Sequence, residues 1–271
     1  TKNKMKIAIL GAGNIGAAIA RGLAKGSLVD ISDLICTVHT DDTLGKLQIT
    51  DAGLKLLLDN KRAVQGVDVI IIAVKPWLVE TVINEIRPVL DIEKQIIVSV
   101  AAGVTFDELN AWLVPDWKDE MSKRPAIFRV MPNTAIEVLS SMTFVSASNA
   151  TEEQTNLILS LFNELGNAIL VQERLMGAGT ALASSGIAFA MRYIRASIEG
   201  GVELGFYPKQ AQEIVVHTVK GAVDLLLTNL SNPEAEIDKV TTPGGVTIKG
   251  LNEMELSGFT SSVIRGLKAS K

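Results

Sequence analysis

One cysteine, two histidines and 4% aromatic residues are a sparse supply of reactive and stacking side chains for a chain of 271 residues. Cys36 has no second thiol to pair with, which excludes an internal disulfide and a cysteine-built metal cluster. His39 and His217 stand far apart in the chain, so no metal site is expected from histidine either. So few aromatics argue against a platform for stacked bases or a groove lined for sugars. A basic excess is also missing. The 26 lysines and arginines face 30 acidic residues, a formal charge of −4, and nucleic acid is not an expected partner. Long apolar runs are absent too: the longest, 69–74, falls far short of the roughly 20 residues a bilayer requires. Ile7, Ala8, Ile9 and Leu10, behind a basic start, are too few for the core of a signal peptide. The expectation is a soluble protein of a reducing compartment, the cytoplasm, with no membrane partner. What the chain does have is 47% apolar residues, enough to bury a core in one large or two modest domains.

The first half alternates short β-branched runs with amphipathic stretches. Near-continuous apolar runs at 7–10, 34–38, 67–74, 95–100 and 127–131 read as parallel strands covered on both faces. Helical patterns at 14–25, 77–87 and 106–113 lie between them, which implies βαβ units and a doubly wound sheet. Residues 114–125, charged and flanked by proline, read as an exposed loop. Thr151 and Gln154 have the spacing of a capping box. Leu157, Ile158, Leu161, Phe162 and Leu165 then share one helical face, with Gly166 placed to end the helix and a short strand at 168–171. From Glu173 onward the pattern is almost wholly helical. Small residues crowd 175–195, as in a helix packed inside a bundle or at a subunit contact, and 211–228 forms another helix. The division falls at residue 165: an α/β unit over 1–165 and an all-helical unit over 166–271.

The strongest local signal is Gly11-Ala12-Gly13-Asn14-Ile15-Gly16, which follows a strand and opens a helix. In that context Gly11 permits the tight turn, Gly13 lets a pyrophosphate approach the backbone, and Gly16 allows close helix–strand packing. The free N–H groups and dipole of the helix start favour phosphates. This is the fingerprint of a Rossmann dinucleotide fold. Ligands in such sheets lie beyond the carboxyl ends of the strands, which end here in His39-Thr40, Ala73-Val74-Lys75-Pro76, Ala101-Ala102-Gly103 and Met131-Pro132-Asn133. An NAD site usually has an acidic residue after the second strand. His39 and Thr40 suit a 2′-phosphate better, so NADP is favoured, with Asp41 and Asp42 keeping NAD as the alternative. Near the C-terminus, Thr242-Pro243-Gly244-Gly245-Val246-Thr247 forces a turn ahead of a helix starting near Lys249. Its free amides make an anion seat, to which Thr242 and Thr247 add hydroxyls.

Taken together, these residues resemble the pyrroline-5-carboxylate reductase family over essentially the whole chain. The specific matches are Asp59-Asn60-Lys61, Ala73-Val74-Lys75-Pro76, Val130-Met131-Pro132-Asn133-Thr134 and Val240-Thr241-Thr242-Pro243-Gly244-Gly245-Val246-Thr247-Ile248. The resemblance implies NAD(P)H-dependent reduction of a cyclic imine to proline, with a helical domain that interlocks with a partner's in a homodimer, or in a decamer built from dimers. It adds Asn60, Lys75, Ala101 and Asn133 to the glycine loop as cofactor neighbours. It assigns the substrate carboxylate to the backbone at Gly244, Gly245 and Val246, and the ring nitrogen to Thr247, the catalytic candidate. Three features depart from the family. Ser184-Ser185-Gly186-Ile187-Ala188-Phe189 stands where Gly-Ser-Gly-Pro-Ala-Tyr is common, His39-Thr40-Asp41 replaces an Asn-Arg-Ser-like cluster, and the loop at 114–125 is longer.

The residues themselves favour an imine over an alcohol or ketone. Hydroxy-acid dehydrogenases of similar layout need a base on the first interdomain helix, and residues 177–190 hold no lysine, histidine or carboxylate. A protonated cyclic imine is already electrophilic, so positioning supplies most of the catalysis. The rivals are a reductase of another imine, a hydroxy-acid dehydrogenase with an unrecognised base, and a non-catalytic nicotinamide-binding regulator.

Overall fold

The structure, a computed structural model, describes residues 5–50 and 53–271. The strands are β1 (Ile7–Leu10), β2 (Leu34–Thr37), β3 (Lys55–Leu57), β4 (Val69–Ile72), β5 (Ile96–Ser99), β6 (Ala126–Met131), β7 (Ser141–Ser148) and β8 (Gly166–Leu170). They form one eight-stranded sheet in the order β3-β2-β1-β4-β5-β6-β7-β8. Every pairing is parallel except β6 with β7. The helices of this region are α1 (Asn14–Lys25), α2 (Asp41–Thr50), α3 (Asn60–Val64), α4 (Val79–Ile86), α5 (Phe106–Leu113) and α6 (Glu152–Asn163).

Alternation along the strands builds a core on each face. Ile7 and Ile9 of β1 and Ile71 of β4 pack with Ile19 and Leu23 of α1 and Ile158, Leu161 and Phe162 of α6. Ala8, Leu10, Ile70 and Ile72 pack with Val64 of α3, Val82 and Ile83 of α4 and Leu109 of α5. Buried on both sides, β1 and β4 read as unbroken apolar runs, and β5 as one up to its last residue, Ser99, as expected of parallel strands under two helical layers. The expected Rossmann architecture is thus present. Thr151 and Gln154 make the anticipated capping box at the start of α6.

The second half runs through α7 (Met176–Gly179), a π-helical turn at Thr180–Ser185, α8 (Gly186–Glu203), α9 (Pro208–Asn229), α10 (Pro233–Lys239), α11 (Val246–Leu256) and α12 (Phe259–Ala269). Two compact units result, one ending at Ala183 and the other beginning at Ser184. The division expected at 165 falls too early, because β8 pairs with β7 and belongs to the sheet. Gly166 accordingly does not end α6. It opens β8 at φ +141°, where a Cβ would lie 2.1 Å from the Ser141 carbonyl oxygen. In the second unit α8 packs against α9, and Tyr193 meets Phe259 edge-on at 6.3 Å. Among the described residues no single helix is long and apolar enough to cross a membrane.

Candidate active site

The strand patterns at 34–38, 67–74 and 95–100 overshoot the paired strands by one or two residues at their carboxyl ends. Val38, Val74 and Val100 leave the ladder and become wall. With Gly11, Ala12, Gly13, Asn14, Ile15, His39, Thr43, Ala73, Lys75, Pro76, Leu78, Ala101 and Ala102 they line a crevice of about 570 Å³ along the carboxyl edge of β1, β2, β4 and β5.

Backbone geometry makes this crevice a fit for a dinucleotide. Gly11 sits at φ +94°, and a Cβ there would stand 3.1 Å from the Ala73 carbonyl oxygen. Its loop is tied to β2: Gly11 N–H donates to Thr37 Oγ1 (3.1 Å) and Ala12 N–H to the Thr37 carbonyl (2.7 Å). Gly16 lets α1 press on the loop, since a Cβ there would lie 2.0 Å from the Gly11 carbonyl oxygen. Gly13 is different. Nothing lies within 4 Å of where its Cβ would be, and no side chain caps α1. The first-turn N–H groups of α1 therefore have no side-chain cap and have open space in front of them, which is what a pyrophosphate needs.

The opposite wall is held from behind. Arg129 of β6, buried, pairs with Glu173 at 2.8 Å. The same Glu173 oxygen accepts the Phe106 N–H at 2.8 Å. One carboxylate thus fixes the start of α5, and with it the connection that carries Ala101 and Ala102.

Four expected cofactor neighbours are not among the lining residues. Gly16 is buried behind the loop. Thr40 starts α2: its Oγ1 accepts the Thr43 N–H (3.2 Å) and shares a hydroxyl bond with Thr43 (2.9 Å). Asn60, behind the N-cap Asp59, donates to Glu85 (3.0 Å). Asn133 caps the 3₁₀ segment Thr134–Val138 by accepting the Ala135 N–H (2.9 Å), and donates to the Ala183 carbonyl (3.4 Å). Thr43 and Leu78 were missed by sequence. Thr43 would have been found by reading Thr40-Asp41-Asp42 as a helix start, since threonine and first-turn carboxylates favour one.

In the second unit, Thr242, Gly244, Gly245, Val246 and Thr247 come together in a turn. Gly244 takes φ +71°, and Gly245 N–H closes back on the Thr242 carbonyl at 2.9 Å. A Cβ on Gly245 would meet Thr242 Oγ1 at 2.6 Å. The helix starts at Val246, three residues before the expected Lys249, because the turn's last glycine is itself the N-cap. Gly245 offers no side chain, so the first-turn amides of α11 are left to an outside acceptor, with the exposed Thr247 beside them. Among the described residues no group of three His, Cys, Asp or Glu side chains could hold a metal ion.

A family model for pyrroline-5-carboxylate reductase dimerisation matches residues 173–271. Along the chain, a pyrroline-5-carboxylate reductase from Dictyostelium discoideum is 36% identical over 99% of this chain and 92% of its own length. The chain belongs to the pyrroline-5-carboxylate reductase family. A member from Methanosarcina acetivorans is 32% identical over 98% of this chain and 97% of its own. Among solved structures, the family member from Coxiella burnetii superposes with a TM-score of 0.89 at 28% identity, covering 99% of this chain and 96% of that one. The Plasmodium falciparum member, solved with NADP bound, gives 0.84 at 23% identity over 100% of this chain and 96% of that one. A second family model, described as NADP oxidoreductase, coenzyme F420-dependent, matches residues 6–103, the glycine-loop half of the sheet.

Proposed function

We propose that this chain reduces pyrroline-5-carboxylate to L-proline at the expense of NADPH. The observation that carries the reading is the pairing, in one chain akin to these reductases from end to end, of an uncapped, open glycine loop at Gly13 with a bare helix start at Gly245. Gly11, Ala12, Gly13 and Asn14 would hold the pyrophosphate, and Ala73, Lys75, Pro76 and Ala101 the rest of the dinucleotide. When bound, the reduced nicotinamide supplies a hydride to the carbon of the C=N bond. His39 and the hydroxyls of Thr40 and Thr43 suit a 2′-phosphate, while Asp42 is held by Lys46 at 2.8 Å. NADPH is therefore favoured, with NADH the alternative and more weakly bound cofactor.

The chain's own part is binding and orientation. The amides after Gly244 take the substrate carboxylate, and the Thr247 hydroxyl bonds the ring nitrogen. A protonated imine loses its charge on reduction, so no oxyanion forms and no strong general acid has to be supplied. We further place the functional form as a homodimer built through the helical unit, with a decamer as a larger assembly. The cytoplasm is the proposed location, in keeping with the one buried thiol.

The test is direct. Purified protein mixed with pyrroline-5-carboxylate should oxidise NADPH, followed by its absorbance, and release proline, while a panel of 2-hydroxy acids with NADP should give no turnover. Cofactor binding without turnover on pyrroline-5-carboxylate would overturn the reading.

A further inference from the structure

The turn that takes the carboxylate hangs from a short element. α10 has seven residues, follows α9 at a bend of 115°, and is bounded by Leu230 in the left-handed region (φ +50°) and by the turn itself. From the end of α10 the chain runs on without slack. Val240 N–H donates to the Ile237 carbonyl (3.0 Å), and the Thr241 hydroxyl reaches the Ile237 and Asp238 carbonyls (3.2 Å each). Thr242 follows at once. The direction of α10 therefore sets where the amides of Gly245 and Val246 face.

One side chain fastens α10 to α9. Glu236 Oε1 accepts from Asn229 Nδ2 (3.1 Å), the last residue of α9, from the Ser231 hydroxyl (2.5 Å) and from Lys239 Nζ (3.0 Å). Three donors from both sides of the bend converge on a single oxygen of a largely covered carboxylate. The bend has its own cap, Asn232, which accepts the Ala235 N–H (3.0 Å), so Glu236 is not needed to start the helix.

We propose that Glu236 is a positioning residue for substrate: it locks α10 against the end of α9 and so aims the carboxylate-binding turn Thr242–Val246. This rests on the function proposed above. It touches neither substrate nor cofactor, and acts through Lys239, Val240 and Thr241.

The experiment compares the full-length protein with Glu236→Leu, Glu236→Gln and Ser231→Ala. Glu236→Leu should raise KM for pyrroline-5-carboxylate about tenfold, the scale of losing a shared set of polar contacts, with KM for NADPH unchanged. Glu236→Gln, which keeps an acceptor for Asn229 and Ser231, should restore most of that loss, and Ser231→Ala should fall between. Calorimetric titration with proline, which presents the same carboxylate, should follow the same order without turnover. If wild-type protein turns over and Glu236→Leu lowers the melting temperature while leaving KM and proline affinity unchanged, Glu236 is merely structural and the inference falls. Should Glu236→Leu not fold, the Gln and Ser231→Ala variants decide: unaltered KM in both overturns it. Absence of turnover in the wild type instead removes the underlying function.

Discussion

Thr247 presents a hydroxyl in the first turn of α11, where the imine nitrogen is proposed to sit. Thr247→Ala should lower kcat/KM by about ten- to hundredfold, the worth of one polar contact of about 1.4–2.7 kcal/mol. Steady-state kinetics check this, and a loss beyond about 10⁴-fold with the fold intact would mean an obligatory proton donor. Gly13 allows a sharper test, because stability and binding should move in opposite directions. Gly13→Asp has room for its side chain, and aspartate is a good N-cap, so thermal stability should hold or rise by a few tenths of a kcal/mol. The same carboxylate would occupy the amides proposed for pyrophosphate, and NADPH affinity, read by fluorescence titration, should fall by more than about tenfold. Away from both places, Glu164 Oε1 accepts Ser27 N–H (2.5 Å), Ser27 Oγ–H (2.8 Å) and Leu28 N–H (3.1 Å). Glu164→Ala should cost about 1–3 kcal/mol in urea unfolding, at constant m-value, with kinetics unchanged.

Elements were legible in the sequence where one physical signal dominated. α1 and α5 lie over the expected residues because each has an apolar stripe with a clear start, a glycine loop for one and the Thr105–Glu108 capping box for the other. β3 and α3 were not seen, being three and five residues long, too short for periodicity to show. β7 was missed because its two-sided burial is incomplete and its polar residues, Ser141, Thr143 and Ser146, are buried; Ser141 and Thr143 bond each other (2.9 Å). Of the candidate residues, the glycine loop and the strand ends could be placed by spacing alone. Asn60 comes only through family likeness, and its side chain is engaged with Glu85, while that of Asn133, at a strand end, is engaged with Ala135 and Ala183. The bend between α9 and α10 carries its own expectation in acid. Hydrogen bonds from Ser231, Asn229 and Lys239 hold the Glu236 carboxyl at about 2, below its ordinary 4.5. A depressed acid stabilises the fold above its unfolded value and loses that contribution as pH falls through the folded one. The stability difference between wild type and Glu236→Gln should therefore be full above pH 4.5 and vanish toward about 2, measured by denaturation across that range.

For the whole molecule, the helical unit is the part whose longest helix leaves most of its apolar residues uncovered. α9 has 22 residues and only Ala211 is buried within its own chain, while Ile214, Val216, Val223, Leu225 and Leu227 are exposed on several sides. A helix with exposed apolar residues on more than one side calls for further cover, and a partner's helices would supply it. The melting temperature should therefore rise with protein concentration, and Val223→Glu should shift the mass seen by light scattering toward the single chain.

Both proposed anion seats, at Gly13 and at Gly245, are made of main chain. Replacing a neighbouring side chain such as Asn14 or Val246 does not delete an amide, so the grip survives most mutations around it. Heredity can therefore vary a side chain that merely borders either seat more freely than the glycines that shape it.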